Sequence, residues 1–388
     1  MGARYAVGVA RCESYAPADV SEALRLAVER AGGWPAPVAD AILLKTNALS
    51  PSPPEKAVTT HPEVLRAAVA ALRRANDAAE VHIADSPGYI FTDAKRLFEK
   101  TGIQALTNAE GVTAGPLHDL GVAVVRGGDV GFRALPEARV ARRYLEAPYC
   151  VNAAKLKTHV ETEMSGCIKN IFGSADTETR KTCHRSTSQR RLAEAIVDLY
   201  GIRPPAFHIL DAVVGMEGDG PSHGRPRLAG WILAGANALA VDWAACKIMG
   251  YGNPRAIPLI AAAVDRGIGP AAESQIDLRG AGWEELPVPG FRKSSGALRL
   301  LPTFLRGMAH SLVSIRPVLE RSACTRCGIC AKVCPTDAIR YEEGYPRIDA
   351  AKCVRCLCCH EMCPPGAMLV RKNLIARAVS GFRGEGGN

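Results

Sequence analysis

Two short runs near the C-terminus, "CTRCGICAKVCP" and "CVRCLCCHEMCP", hold nine of the fourteen cysteines of this 388-residue chain. Each contains C-x2-C-x2-C-x3-C-P, at Cys324, Cys327, Cys330, Cys334 and at Cys353, Cys356, Cys359, Cys363. The second run repeats the first 29 residues on, and Arg326/Arg355, Pro335/Pro364 and Ala338/Ala367 repeat with it, so this is an internal duplication. A loop with cysteines three apart can wrap one corner of an iron–sulfur cube and offer three thiolates. The fourth, its backbone fixed by the following proline, points away to a second cube. The expectation is two 4Fe–4S clusters, one held by Cys324, Cys327, Cys330 and Cys363, the other by Cys353, Cys356, Cys359 and Cys334. Zinc would leave the third cysteine, the proline and the duplication unexplained. Cys358 is either an alternative ligand or, more simply, a small buried neighbour. Cys12, Cys150, Cys167, Cys183 and Cys246 are scattered and read as ordinary thiols of a reducing compartment. Between the runs, "AIRYEEGYPRID" reads as a hairpin turning near Gly344.

A second constellation lies in "KLKTHVETEMSGCIKNIFG". Side chains alternate along a strand, so in "YCVNAAKLKTH" Tyr149, Val151 and Ala153 share a face with Lys155, Lys157 and His159. "AILLKTN" finishes in Lys45 and Asn47, "VHIADSPG" in Asp85 and Ser86, and "AFHILDAVV" places Asp211 near its end. Four strands thus begin apolar and finish polar, and ligands of open α/β sheets sit outside the carboxyl ends of the strands. Ser165 and Gly166 precede a helix whose exposed N–H groups suit an anion, with Lys169 and Asn170 on its first turns. Arg180, Lys181, His184 and Arg185 add positive potential. The glycine-rich "GMEGDGPSHG" suits a phosphate or the placement of Glu217 and Asp219. Each has a plainer alternative: solvated lysines at a strand end, a structural His159, a helix-start His61, loop-capping Asp85 and Asp211, an ordinary turn, a surface His184.

Residues 1–290 alternate strand-like and helix-like segments, which predicts an α/β layered domain around a mostly parallel sheet with flanking helices. Residues 291–321 form a basic amphipathic linker in which Leu300, Leu301, Phe304, Leu305 and Met308 are expected to pack the C-terminal module onto the large domain. Residues 322–371 make a small α+β two-cluster module, and 372–388 a tail expected to be disordered. The formal charge of +9 falls to about +5 once two clusters are counted. With aromatics at 5% and no basic stripe interleaved with stacking residues, nucleic-acid binding is not expected. No secretory leader and no transmembrane segment is legible, so a cytoplasmic location is expected.

The C-terminal runs resemble bacterial-type two-cluster ferredoxins. In the larger part, "LLKTN", "TTHPEVLRAAV", "KLKTHVETEMSGCIKNIFG", "VVGMEGDGPSHG" and "ALAVDWAACKIMG" resemble domain-of-unknown-function family 362 in the same order over roughly residues 5–270. Lys45, Asn47, His61, Asp85, Lys157, His159, Lys169, Asn170, Gly173, Gly218, Gly220, Pro221 and Asp242 match that family's polar and glycine positions. Thr46 and Cys167 depart from it. The resemblance implies an iron–sulfur oxidoreductase without naming a substrate. The residues point to a reductase passing low-potential electrons to an anionic carboxylate or phosphate, with Lys155 and Lys157 binding and His159 donating a proton because a histidine titrates near neutrality. No G-x-G-x-x-G follows the first strand, so no flavin or dinucleotide is expected. An electron-donor or -acceptor protein, such as a ferredoxin or its reductase, is the expected partner. A non-catalytic electron carrier, a cluster-bearing adaptor or a redox-sensing binding protein is the competing class. Replacing Cys358 by Ser should leave the iron content per chain unchanged, and loss of iron on that change would overturn the ligand assignment.

Overall fold

Apolar strands and amphipathic helices alternate along the chain and layer into a three-tier α/β/α arrangement, as the alternation predicts. The computed structural model describes residues 4–88, 93–186, 188–294 and 315–372, so the expected linker packing of residues 300–308 and the tail beyond 372 lie outside the described residues. The strands are β1 (Tyr5–Arg11), β2 (Ala41–Lys45), β3 (Glu80–Asp85), β4 (Thr113–Pro116), β5 (Val122–Arg126), β6 (Glu137–Ala141), β7 (Tyr149–His159), β8 (Glu163–Ser165), β9 (Phe207–Glu217), β10 (Arg225–Gly235) and β11 (Ile276–Arg279). Nine of them form one sheet in the order β11-β1-β10-β9-β7-β2-β3-β4, with β8 folded back on β7. From β9 to β4 every pairing is parallel, whereas β10 runs antiparallel to both its neighbours. β5 and β6 make a separate antiparallel pair.

Two cores flank this sheet. On one face Val20, Leu24, Leu65 and Leu72, from helices Pro17–Arg30 and Pro62–Ala75, meet Ile42, Leu44 and Val151. On the other, helices Gln189–Ile202, Ala238–Ile248 and Pro258–Asp265 contribute Ile196, Val241 and Ile260 against Cys150, Ala154 and Leu156. The central β7 is buried along its whole length. Its odd-numbered side chains therefore run from an apolar core into a polar end without leaving the interior.

One element differs from expectation. β9 continues through Gly215, Met216 and Glu217, leaving Asp211 in mid-strand, and "AGWILAG" returns as the antiparallel β10. The connection is a few residues long, and a parallel crossover needs a dozen or more. The glycine-rich stretch is thus the end of a hairpin, in which the Gly220 carbonyl accepts from Val160 N at 3.0 Å.

The C-terminal module consists of β12 (Ile315–Leu319), β13 (Ile339–Glu342), β14 (Tyr345–Ile348) and β15 (Met368–Lys372), with short helices Ile329–Lys332 and Cys358–Glu361. β12 pairs with β15 and β13 with β14, both antiparallel. Glu343 and Gly344 turn the predicted hairpin with φ of 51° and 77°, as a two-residue primed turn requires. The duplication persists in the backbone: Arg326 and Arg355 have φ of 57° and 60°, Gly328 and Leu357 of 78° and 58°. Among the described residues no helix is long and apolar enough to cross a membrane.

Gly8 shows how tightly β1 meets its covering helix: a Cβ there would lie 1.9 Å from the Ala27 carbonyl oxygen. Gly8→Ala should cost about 3 kcal/mol, the upper end of overpacking penalties, read as a lowered urea midpoint. An unchanged midpoint would mean that strand and helix are not in this contact.

Candidate functional site

The carboxyl ends of β2, β3 and β7 meet around a cavity of about 90 Å³. Lysines dominate one wall, and Lys45, Lys155 and Lys157 are each at most 1% exposed. Two are neutralised internally. Lys45 Nζ lies 2.6 Å from Asp85 Oδ1 and donates to the Thr46 carbonyl at 2.8 Å. Lys155 Nζ donates to Asp211 Oδ2 at 2.8 Å and to the Tyr15 hydroxyl at 2.7 Å, and burial lowers its pKa against the pull of Asp211. Lys157 has no such carboxylate. Its Nζ donates to Asn47 Oδ1 and to the Val58 carbonyl, each at 2.8 Å. Burial, with Lys169 and Lys155 nearby, pushes it down to about 7. Lys169 also lines the cavity, partly exposed, and burial lowers it too despite Glu361 and Glu161.

Amide side chains link these groups. Asn170 Nδ2 donates to Asn152 Oδ1 at 2.7 Å and to the Thr46 carbonyl at 3.1 Å, while its Oδ1 accepts from Asn47 Nδ2 at 2.9 Å. Asn47 is thereby held with its oxygen toward Lys157. Every member has a partner, as a buried polar network requires.

The histidines differ from expectation. His159 Nδ1 accepts from the backbone N–H groups of Glu161 and Thr162, at 3.1 and 3.3 Å. Burial, then Lys169, His184 and Lys157, hold its pKa well below the ordinary value. At neutral pH His159 is therefore an uncharged imidazole carrying its proton on Nε2, and the premise that it titrates near neutrality is corrected. His184 is the protonatable one. Burial alone would lower it, but Glu161, with Oε2 3.0 Å from Nδ1, outweighs burial and the net shift is upward.

The wall opposite the lysines comes from the C-terminal module: Glu361 and Met362 line the same cavity. Glu361 Oε1 stands 3.5 Å from His159 Nε2, with that side chain 10% exposed. Burial, then Glu161, pushes the Glu361 carboxyl up to about 8. Met362 packs so closely on Gly88 that a Cβ there would fall 2.2 Å from its Cε. Arg185 Nε donates to the Pro335 carbonyl at 3.1 Å, and His223 pairs with the Cys363 carbonyl at 3.2 Å while its ring lies tilted against that of His360 at 4.7 Å.

The cysteines gather in two sets drawn from both runs. Cys334, Cys353, Cys356 and Cys359 line one small cavity. Cys363 sits where the charges of Cys324 and Cys327 act on it, as it and Cys327 act on Cys330. Each set combines three thiols from one loop with the proline-flanked thiol of the other, the donor set that a 4Fe–4S cube requires. Among the described residues no three His, Cys, Asp or Glu side chains converge on a single metal ion. Cys358 is buried and hydrogen-bonded to the Cys356 sulfur, which it lowers. The Cys356 thiol acts electrostatically on His184 and Glu361, both of which line the lysine cavity.

Lys45, Asn47, Asp85, Lys155, Lys157, His159, Ser165, Lys169, Asn170 and His184 thus come together around one cavity. His61, Asp211 and Glu217 do not line it. His61 caps helix Pro62–Ala75, accepting from Glu63 N at 3.2 Å, and stacks on Tyr15 at 3.6 Å. Asp211 is consumed by Lys155 and Tyr15, and Glu217 accepts from Arg292 N at 3.0 Å. The anion expected at the start of helix Cys167–Asn170 is the chain's own: Asp242 accepts from Cys167 N and Ile168 N at 2.6 and 3.0 Å. Burial raises Asp242 to about 6 even so. Sequence reasoning missed Tyr15, Glu161, Glu361 and Met362. A signal for the last two existed, because the duplicated runs diverge at "AKV" against "HEM".

Fold and site together define an α/β domain whose buried cationic cavity is closed by an iron–sulfur module. Residues 42–247 match the model of the family described as Domain of unknown function (DUF362), and residues 317–340 match the 4Fe-4S binding domain. The chain belongs to the DUF362 family, and its C-terminal part binds a 4Fe–4S cluster. It is 28% identical over 272 residues to the thylakoid-associated protein sll1697 of Synechocystis sp., spanning 69% of this chain and 81% of that protein. Among solved structures it is similar to the lactate racemase apoprotein from Thermoanaerobacterium thermosaccharolyticum, with a TM-score of 0.40 and 14% identity over 63% of this chain. The match spans 57% of that racemase chain.

With Lys157 near 7, its charge is present below that pH and lost above it. Sulfate, whose own charge is constant here, should bind about tenfold more weakly at pH 8 than at pH 6, measured by calorimetry. Lys157→Met should flatten the profile, and an equally steep profile in that variant would assign the titration elsewhere.

Proposed function

We propose that this protein is an iron–sulfur oxidoreductase that reduces a small anionic substrate, a carboxylate or phosphate, in the lysine cavity. The observation that carries this reading is that Glu361 and Met362, inside the second cysteine run, form a wall of the cavity lined by Lys157, Lys169 and His159. The eight cysteines suit two 4Fe–4S clusters, which supply electrons singly at low potential when bound. Lys157 and Lys169 hold the anion. Lys45 and Lys155, locked to Asp85 and Asp211, keep the surrounding backbone in place and spend their charge doing so. His159, neutral and oriented by two backbone donors, offers its Nε2 proton as a hydrogen bond to a substrate oxygen. Reducing an unsaturated bond consumes protons as well as electrons, and His184, paired with Glu161, holds one nearby. Met362 against Gly88 and Phe172 beside His184 restrict water.

The test is anaerobic purification followed by native mass spectrometry, with iron and flavin quantified on the same sample. The expected result is a retained small anion that disappears in Lys157→Met and His159→Phe while iron per chain stays constant. Turnover of that anion with reduced methyl viologen should fall at least about a hundredfold in the same variants. Undiminished electron delivery to an acceptor protein in both variants, with no retained anion, would make the large domain a docking body and the protein a carrier.

A further inference from the structure

Away from the lysine cavity the C-terminal module carries a second recess, of about 570 Å³, bounded by β12, β14 and the turn at Glu343. Five arginines line it: Arg316, Arg321, Arg347, Arg355 and Arg371. Glu342 and Glu343 are the acidic side chains on its rim. Arg347 is 2.6 Å from Glu342, and among the described residues none of the other four lies within ion-pair distance of a carboxylate. Arg321 instead lies over the Tyr345 ring at 5.1 Å. Arginines without internal partners around a concavity are surface charge left for something else to neutralise. The recess is far larger than one inorganic anion needs. Cys353, a member of the thiol set whose Cys356 acts electrostatically on His184 and Glu361, also lines it. That set therefore lines the arginine recess through Cys353, while Glu361, two residues beyond its Cys359, lines the lysine cavity.

We infer that the arginine recess is the docking surface for a small acidic electron-transfer protein, seated against Cys353. The inference rests on the oxidoreductase reading and adds to it the place and the charge of the partner. Complementary charge raises the rate of encounter and the effect fades with salt. The partner would lose one electron, and the 4Fe–4S cluster that Cys334, Cys353, Cys356 and Cys359 would hold would take it up, with no bond made or broken. A nucleic acid would use the same arginines but has no reason to sit at a cluster thiolate. A membrane surface would favour a flat or convex basic face over a recess.

The test uses the full, cluster-loaded chain with an acidic bacterial ferredoxin. Arg321→Glu/Arg355→Glu is compared with Arg340→Glu, an exposed reversal on the same module outside the recess. Binding of the oxidised ferredoxin is read by calorimetry, and bleaching of the chain's visible absorbance by the reduced ferredoxin is read by stopped flow. Reduced methyl viologen serves as a small cationic reductant. Expected is a roughly tenfold or larger loss of affinity and bleaching rate for the recess variant at low salt, closing by about 0.5 M salt, with Arg340→Glu and the viologen rate near wild type. Equal effects of the two reversals, or none, would overturn the docking surface. Loss of binding to phosphatidylserine vesicles or to DNA with ferredoxin untouched would overturn it in favour of those partners. If the wild type takes electrons from viologen and turns over its anion but ignores ferredoxin, the docking surface falls and the oxidoreductase reading stands. If ferredoxin docks in the recess but no anion is retained or turned over, the docking surface stands and the reductase reading falls.

Discussion

Three lysine ammonium groups buried at the end of one sheet are the constraint around which this molecule is arranged. Removing an unpaired ion from water costs several kcal/mol even after the protein relaxes, so each lysine needs compensation close at hand. Sheet order supplies it. Lys155 on β7 is in register with Asp211 on β9, and Lys45 on β2 lies beside β3, whose last residue is Asp85. Exchange either pair of neighbouring strands and a lysine loses its carboxylate. Strand order and charge compensation are in this sense one requirement. Gly173 marks how little space remains, since a Cβ there would lie 3.0 Å from Asp85 Oδ1 and 3.3 Å from Lys45 Nζ.

What is left uncompensated defines the site. Lys157 is two residues beyond the last carboxylate pair on the same strand face and is held by an amide oxygen and a carbonyl. The neighbouring helix start cannot bind an external anion because Asp242 already fills its first N–H groups. Positive potential is therefore focused in the cavity at Lys157 and Lys169, whereas most of the other cationic groups on this edge are spent on internal bonds.

The duplicated cysteine runs are alike in backbone and unlike in surroundings. Cys327 in the first is exposed, whereas its counterpart Cys356 in the second is half-buried. Lys332 of the first run is exposed, but its counterpart Glu361 reaches the cavity. Duplication built two equivalent thiol loops, and docking against the α/β domain made them inequivalent. The second run lines the lysine cavity through Glu361 and Met362 and the arginine recess through Cys353, an asymmetry created by contacts rather than by the motif.

Spacing alone determined the thiol motif, its duplication, the hairpin at Gly344, the α/β alternation and the polar strand ends, because these depend on short-range geometry that repeats along the chain. The period of a strand is enough to put Lys155, Lys157 and His159 on one face. Only the folded chain decided which of those charges remain available. His61 and Asp211 sit in motifs as suggestive as Lys157, yet a helix cap and a cross-strand ion pair absorb them, through partners 2 and 56 residues away. The neutral state of His159 and the placement of Glu361 opposite it depend on desolvation and on contacts between segments about 200 residues apart. Burial and long-range pairing set charge in a protein interior, and neither leaves a local trace in the order of the residues.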